Sequence, residues 1–201
     1  MTAPAEPADA PLYCPFYCEE NVWQLCAHPR VADAERWVLF VSNAIRKVAM
    51  WGQRAAAAKD LPIAWDYHVV LLFRAPAEPT TGQGPGPWQI WDLDAREPDP
   101  RAAADWLARS FAHIGLLPPK YTPRFRMVSC ADYRRHLRSD RRHMLRPDGL
   151  PRRAPPSWPA ILGEPTAEND DGNNLDRFID TEDPSFLGRC LDLDGLRKLV
   201  G

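Results

Sequence analysis

Spaced by their apolar positions, the residues of this chain fall into short β-branched runs separated by stretches of helical period. From Cys18 the segment C-E-E-N-V-W-Q-L-C-A-H sets Val22, Leu25 and Cys26 at i, i+3 and i+4, with Glu19 and Glu20 in the first turn. Acids there suit the positive end of a helix dipole, so the pattern predicts a helix with Cys18 at its start. Residues 37–42 (W-V-L-F-V-S) read as a strand, and Asn43 with Ala44 offers a turn into residues 45–51, which predicts a hairpin. Residues 63–73 (I-A-W-D-Y-H-V-V-L-L-F) are apolar on both faces, as a central strand covered on each side would be. A Pro-, Gly- and Thr-rich loop at residues 74–87 leads to residues 88–93 (W-Q-I-W-D-L), the expected antiparallel partner.

Ala103, Trp106, Leu107 and Phe111 recur at helical spacing within residues 100–114, and Pro118-Pro119 then acts as a stop. Residues 125–128 predict a further strand. Residues 131–144 predict a basic helix with Arg134, Arg138, Arg141 and Arg142 near one face, a row whose ordinary meaning is a solvated side. Residues 146–159 hold five prolines and should run extended over the surface. This order of elements favours an α+β domain, a mostly antiparallel sheet flanked by helices, and contradicts an all-α or all-β fold.

Length allows one such domain: 201 residues and 22.8 kDa. Residues 1–11, Pro/Ala-rich, read as a mobile tail, and residues 12–201 as a single domain. With 45% hydrophobic and 26% charged residues, a natively unfolded or fibrous chain is excluded. No window approaches the roughly 18 apolar residues of a membrane span, and the acidic start lacks the features of a secretory signal, so cytosol or nucleus is expected. The net charge of -2 hides two blocks: residues 120–153 carry 11 basic and 3 acidic residues, residues 164–194 carry 10 acidic and 2 basic. Such blocks facing each other or solvent account for the balance without nucleic acid.

Five cysteines at irregular spacing argue against a disulfide framework and leave at least one thiol free. A thiol at a helix start can ionise below its free value of about 8.5, which makes Cys18 a candidate nucleophile. His68 lies inside a buried run and needs a polar partner; Asp92 stands on the next predicted strand, about 5 Å away across a ladder. Cys18, His68 and Asp92 together fill the roles of nucleophile, base and orienting acid. Singly each has an ordinary reading as packing, a core histidine or a strand-end turn. A zinc set of Cys14, Cys18, Cys26 and His28 has no common ligand spacing, so no metal is expected. The Trp65-Asp66 and Trp91-Asp92 dipeptides are too close together for propeller blades, and His113, His136 and His143 read as surface or packing residues.

The segments Tyr17-Cys18-Glu19-Glu20-Asn21, Trp65-Asp66-Tyr67-His68-Val69-Val70 and Asp92-Leu93-Asp94 resemble the protein N-terminal glutamine amidohydrolase family. Ser139-Asp140-Arg141-Arg142-His143-Met144 and Asn174-Leu175-Asp176-Arg177-Phe178-Ile179 extend the likeness over roughly residues 12–199. The resemblance implies an α-β-α sandwich related to papain and transglutaminases, a monomer, no cofactor, and Cys18, His68 and Asp92 as the catalytic triad. It also implies protein or peptide substrates with a free N-terminal Gln, no nucleic acid or membrane partner, and a role upstream of N-terminal arginylation. Arg142 stands where the family often has Ser, and the loop at residues 74–87 is longer than expected.

The expected chemistry is deamidation of N-terminal Gln to Glu with release of ammonia, through a thioester on Cys18. An acid must receive the substrate's α-ammonium group; Asp66 is the first expectation, from strand alternation with His68, and Glu19 the second. Trp65, Tyr67 or Trp91 would close the pocket against competing amines. Two other readings stay open: transglutaminase-like transfer of the acyl group to lysine, and a non-catalytic adaptor that binds peptides along the strip at residues 146–159.

Overall fold

Strand alternation builds the architecture, and the computed structural model describes residues 10–78, 82, 84–166 and 171–201. The tail expected at residues 1–11 thus lies outside the described residues up to residue 9. In chain order, α1 (Cys18–Leu25) precedes β1 (Glu35–Ser42), β2 (Val48–Met50), β3 (Ile63–Trp65), β4 (His68–Arg74), β5 (Gln89–Trp91) and β6 (Arg101–Ala102). Then follow α2 (Ala103–Ser110), β7 (Arg124–Ser129), α3 (Cys130–His136), β8 (Arg138–Ser139), β9 (Ile161–Leu162), α4 (Leu175–Ile179), β10 (Arg189–Asp192) and α5 (Leu193–Val200).

Six strands form one antiparallel sheet in the order β10-β7-β1-β4-β5-β6, with β1 and β4 at its centre. Because successive side chains leave opposite faces of a strand, Val38 and Phe40 enter one core while Leu39 and Val41 enter another. The first core also takes Val22 and Leu25 of α1, Tyr133 of α3 and Phe178 of α4; the second takes Trp106 and Leu107 of α2 and Leu196 of α5. Helices therefore cover both faces, which gives the α+β sandwich expected from the element order. Phe40 stacks on Phe178 with centroids 5.5 Å apart and meets Tyr133 edge-on. Burying a side chain of that size contributes roughly 1.5–3 kcal/mol.

Four local expectations are corrected. No hairpin joins residues 37–42 to 45–51: β4 and β7 occupy both edges of β1, and β2 pairs with β3 in a separate sheet. The intervening turn is held by Asn43, which donates to the carbonyls of Lys47 and Lys120. The run at residues 63–73 is two strands, broken where Asp66 Oδ1 accepts the Tyr67 amide at 2.9 Å. The helix of residues 100–114 is shorter, β6 and then α2. The basic helix expected over residues 131–144 starts at a Ser129 cap and stops after His136, where Leu137 turns extended; Arg141 adopts a left-handed conformation, φ 66°. Its arginines consequently do not share a helix face.

The two charge blocks do meet. Arg142 pairs with Asp171 at 2.7 Å and Arg135 with Glu164 at 2.7 Å. Arg126 is fully buried and donates to the carbonyls of Asp180, Asp183 and Leu187, so it ties the acidic segment to β7.

Candidate active site

Cys18 begins α1, and no side chain caps that helix start. Its sulfur lines a cleft of about 700 Å³ together with Trp65, Asp66, Tyr67, Asp94 and His143. The thiol is nonetheless buried in its resting position, 3.9 Å from Glu19 Oε2 and against the Val69 amide. Burial pushes it well above the ordinary thiol value, and the negative charge of Glu19 pushes it further, with Asp94 and Asp66 adding to the effect. The lowered ionisation expected of a helix start is thus reversed: desolvation and a carboxylate beside the sulfur outweigh the helix dipole.

His68 opens β4, beside Val69, and its ring stacks on Trp65 at 5.5 Å. Nε2 lies 2.9 Å from Asp92 Oδ1, both side chains being 2% exposed or less. Nδ1 is buried without a hydrogen-bond partner among the described residues. Burial alone would lower the imidazole's basicity, but the charge and hydrogen bond of Asp92 outweigh it and raise the ring above its ordinary value. No hydrogen bond joins the Cys18 sulfur to His68; that sulfur meets the amide of Val69, the residue after His68.

Asp92 lies just past β5, not within it, in a turn where its Oδ1 also accepts the Asp94 amide at 3.1 Å. Oδ2 accepts Gln53 Nε2 at 2.9 Å and Trp106 Nε1 at 3.0 Å. Burial would raise this carboxyl, but His68 and these donors hold it down at about 2. Sequence reading missed both supports. Trp106 showed only its helical spacing and Gln53 nothing, since a side chain that braces an acid from a distant loop leaves no local pattern.

Glu19 is fully buried, accepts Tyr67 Oη at 3.0 Å on Oε2, and has Oε1 3.4 Å from His143 Nε2, an ion-pair distance without hydrogen-bond alignment. Burial lowers His143, and the Glu19 carboxylate more than restores it. His143, read from sequence as surface or packing, is therefore part of the cleft wall. Asp66 is exposed in the cleft, but it sits in the bend before β4, so the alternation argument that linked it to His68 does not run through. Asp94, a residue that the sequence reading left without a role, also lines the cleft, buried, with Oδ1 bonded to Tyr13 Oη at 2.6 Å. Tyr67 and Trp65 line the cleft, whereas Trp91 is buried in the core against Phe73 and His28. Glu20 turns away into a bidentate pair with Arg141, 2.7 Å on each oxygen, and also accepts Trp158 Nε1 at 2.7 Å.

The four residues of the discarded zinc set turn to separate neighbours: Cys14 to the Ala154 carbonyl, Cys18 to Glu19, Cys26 to Cys130, and His28 to the Arg30 amide. Among the described residues no helix is long and apolar enough to cross a membrane.

A family model described as N-terminal glutamine amidase matches residues 13–200. Proteins named protein N-terminal glutamine amidohydrolase are similar to this chain in animals and plants. The Drosophila ananassae protein is 35% identical over 154 residues, 75% of this chain and 71% of its own. Those of Arabidopsis thaliana and Bos taurus are each 34% identical, over 83% and 86% of this chain and 74% and 79% of their own lengths.

Proposed function

We infer the reaction from one premise, that the chain belongs to the N-terminal glutamine amidase family. It is an amidohydrolase, and its substrates are proteins or peptides whose first residue is Gln, converted to Glu with loss of ammonia. The observation that carries the mechanism is the hydrogen bond of His68 Nε2 to Asp92 at 2.9 Å, which leaves the buried Nδ1 without a partner among the described residues, while Cys18 is the one cysteine among the residues that line the cleft.

In the proposed mechanism the Cys18 sulfur leaves its contact with Glu19, and His68 Nδ1 takes its proton as the thiolate attacks the carboxamide carbon. A neutral resting thiol makes this a base-assisted attack, with the proton moving as the bond forms. Free amides at the uncapped start of α1 receive the oxyanion, each such donor contributing about 3 kcal/mol to the barrier. The imidazolium gives its proton to the departing ammonia, and water, deprotonated by the same ring, hydrolyses the thioester to Glu. Asp92 holds the ring and stabilises its charged form. Asp66 or Glu19 receives the α-ammonium group. Asp66 is open to the cleft; Glu19 is already engaged by Tyr67, which favours Asp66 as the direct contact. Trp65 and Tyr67 screen the thioester from competing amines. The enzyme acts as a monomer in the cytosol or nucleus.

Short peptides beginning with Gln, Asn or acetylated Gln test the reading. Ammonia and a new N-terminal Glu are expected from the first alone; lysine cross-links without free Glu would indicate acyl transfer, and binding that ignores loss of the Cys18 thiol an adaptor.

A further inference from the structure

Away from the cleft, two thiols that the proposed reaction does not use face each other. All five cysteines are free. Cys26, the residue after α1, and Cys130, the first residue of α3, lie 104 positions apart in the chain and bring their sulfurs to 2.9 Å. Both are buried in the core that also holds Val22 and Tyr133. Two guanidinium groups attend Cys26. Arg36 donates Nη1 to its carbonyl at 2.8 Å. Arg134 lies 4.2 Å over the ring of Trp23, and its Nη1 is buried without a hydrogen-bond partner among the described residues. Burial and the contact with Cys130 hold the resting Cys26 thiol well above its ordinary value, while Arg134 and Arg36 work the other way and favour the thiolate.

The helices that carry the pair are already joined. Tyr133 of α3 donates its hydroxyl to the Glu19 carbonyl of α1 at 2.9 Å, and Trp23 of α1 donates its indole N–H to the Arg134 carbonyl at 3.2 Å. This seam holds the two sulfurs against each other. A disulfide bond is about 2.05 Å long, so closing one here asks for less than about 1 Å of further approach.

We propose that Cys26 and Cys130 form an oxidisable dithiol, closed to a disulfide by a hydroperoxide, that clamps α1 to α3. The site is separate from Cys18 and holds whichever reaction Cys18 performs. Buried sulfurs are reached only through local opening, which suits hydrogen peroxide, little larger than water, better than a bulky disulfide oxidant. The Cys26 thiolate attacks one peroxide oxygen; the O–O bond breaks, and the leaving hydroxide takes the thiol's proton to become water. The Cys130 sulfur then attacks the sulfenic sulfur of Cys26, the S–O bond breaks, and the second hydroxide leaves as water with the Cys130 proton. Two thiols thus lose two electrons and the peroxide gains them. Because the partner sulfur is in contact, the second step outruns further oxidation of Cys26.

The folded protein is treated with millimolar hydrogen peroxide, its remaining thiols are blocked with N-ethylmaleimide in denaturant, and it is digested without reduction. Trypsin together with a Glu-specific protease places Cys26, Cys130 and Cys190 on three separate peptides, apart from Cys14 and Cys18. The expected product joins the Cys26 and Cys130 peptides and is lighter by two hydrogens than their sum. Its formation should raise the thermal midpoint by about 5 °C or more, since a crosslink over so long a loop restricts the unfolded chain, and dithiothreitol should reverse the gain. In Cys130→Ala the sulfenic acid has no partner, and dimedone should label Cys26. Absence of the joined peptide from folded protein, a link from Cys18 or Cys14 in its place, or a link that leaves the thermal midpoint unchanged overturns the proposal.

Discussion

Trp106 donates its indole N–H to Asp92 Oδ2 at 3.0 Å, and so a helix of one hydrophobic core holds the carboxylate to which His68 is hydrogen-bonded, the acid proposed to orient that ring. With Gln53 on the same oxygen, the carboxylate is fixed from two sides and His68 has Oδ1. A hydrogen bond to a charged group contributes about 1.5–3 kcal/mol. Trp106→Phe keeps most of the volume and removes only the donor. It should lower kcat about tenfold or more with a smaller change in KM, as a positioning residue would, and it should move the acidic limb of the kcat profile upward.

Cys18→Ser should reduce ammonia release from a Gln peptide by at least about 10³-fold, since the hydroxyl is a far weaker nucleophile in an unchanged site. Its thermal midpoint should stay within a few degrees of the parent protein, which a circular dichroism melt would show. Retained activity would move the chemistry to another group.

Alkylation reads the state of the thiol directly. Because burial and Glu19 both raise Cys18 above the ordinary thiol range, iodoacetamide should modify it slowly at neutral pH and faster as pH rises. Glu19→Gln removes the second of these causes; the pKa should fall and the rate at pH 7 should increase. Peptide mapping of the labelled protein separates Cys18 from the more accessible Cys14.

Stability should depend on pH through the His68–Asp92 pair. Asp92 ordinarily titrates at 3.8 and is held at about 2, so the unfolded chain binds the extra proton between these values. The contribution, about 2 kcal/mol, is complete above about pH 4 and is lost as pH falls toward 2. His68 has the opposite sign: its folded value lies above 6.5, so its contribution is complete below that pH and declines as pH rises through the folded value. Both slopes belong to one ion pair, counted once. Asp92→Asn should flatten both in a series of denaturant melts.

Glu20→Ala should unfold the protein at markedly lower denaturant, by about 3–5 kcal/mol, because it strands Arg141 and the Trp158 indole beside a buried void. Glu19 and Glu20 are neighbours in sequence, yet only the first borders the thiol.

Much of this was legible in the chain itself. The helix from Cys18, the strand around Val69 to Phe73 and the antiparallel sheet follow from apolar spacing; the approach of Asp92 to His68 follows from two strands joined by one loop, but the contact is made from the turn after β5 and not across the ladder. The break at Asp66 was not legible, because a side chain accepting its own neighbour's amide leaves the apolar run intact. Nor was the end of α3, where Leu137 turns extended inside a basic pattern that would have supported more helix. The thiol's surroundings were misjudged for a related reason: a helix start is visible in sequence, but the folding back of Glu19 onto the sulfur depends on Tyr67 and His143, which lie far along the chain.

Arg141 stands alone among the residues of the 140–144 turn in adopting a left-handed backbone, and its guanidinium is locked onto Glu20. Such a conformation is costly for any side chain except glycine, so the turn behaves like a bent spring latched at one end. Cutting the latch would relax the turn and swing His143 off the cleft, so the loss of stability would be joined by a change in how substrates are gripped.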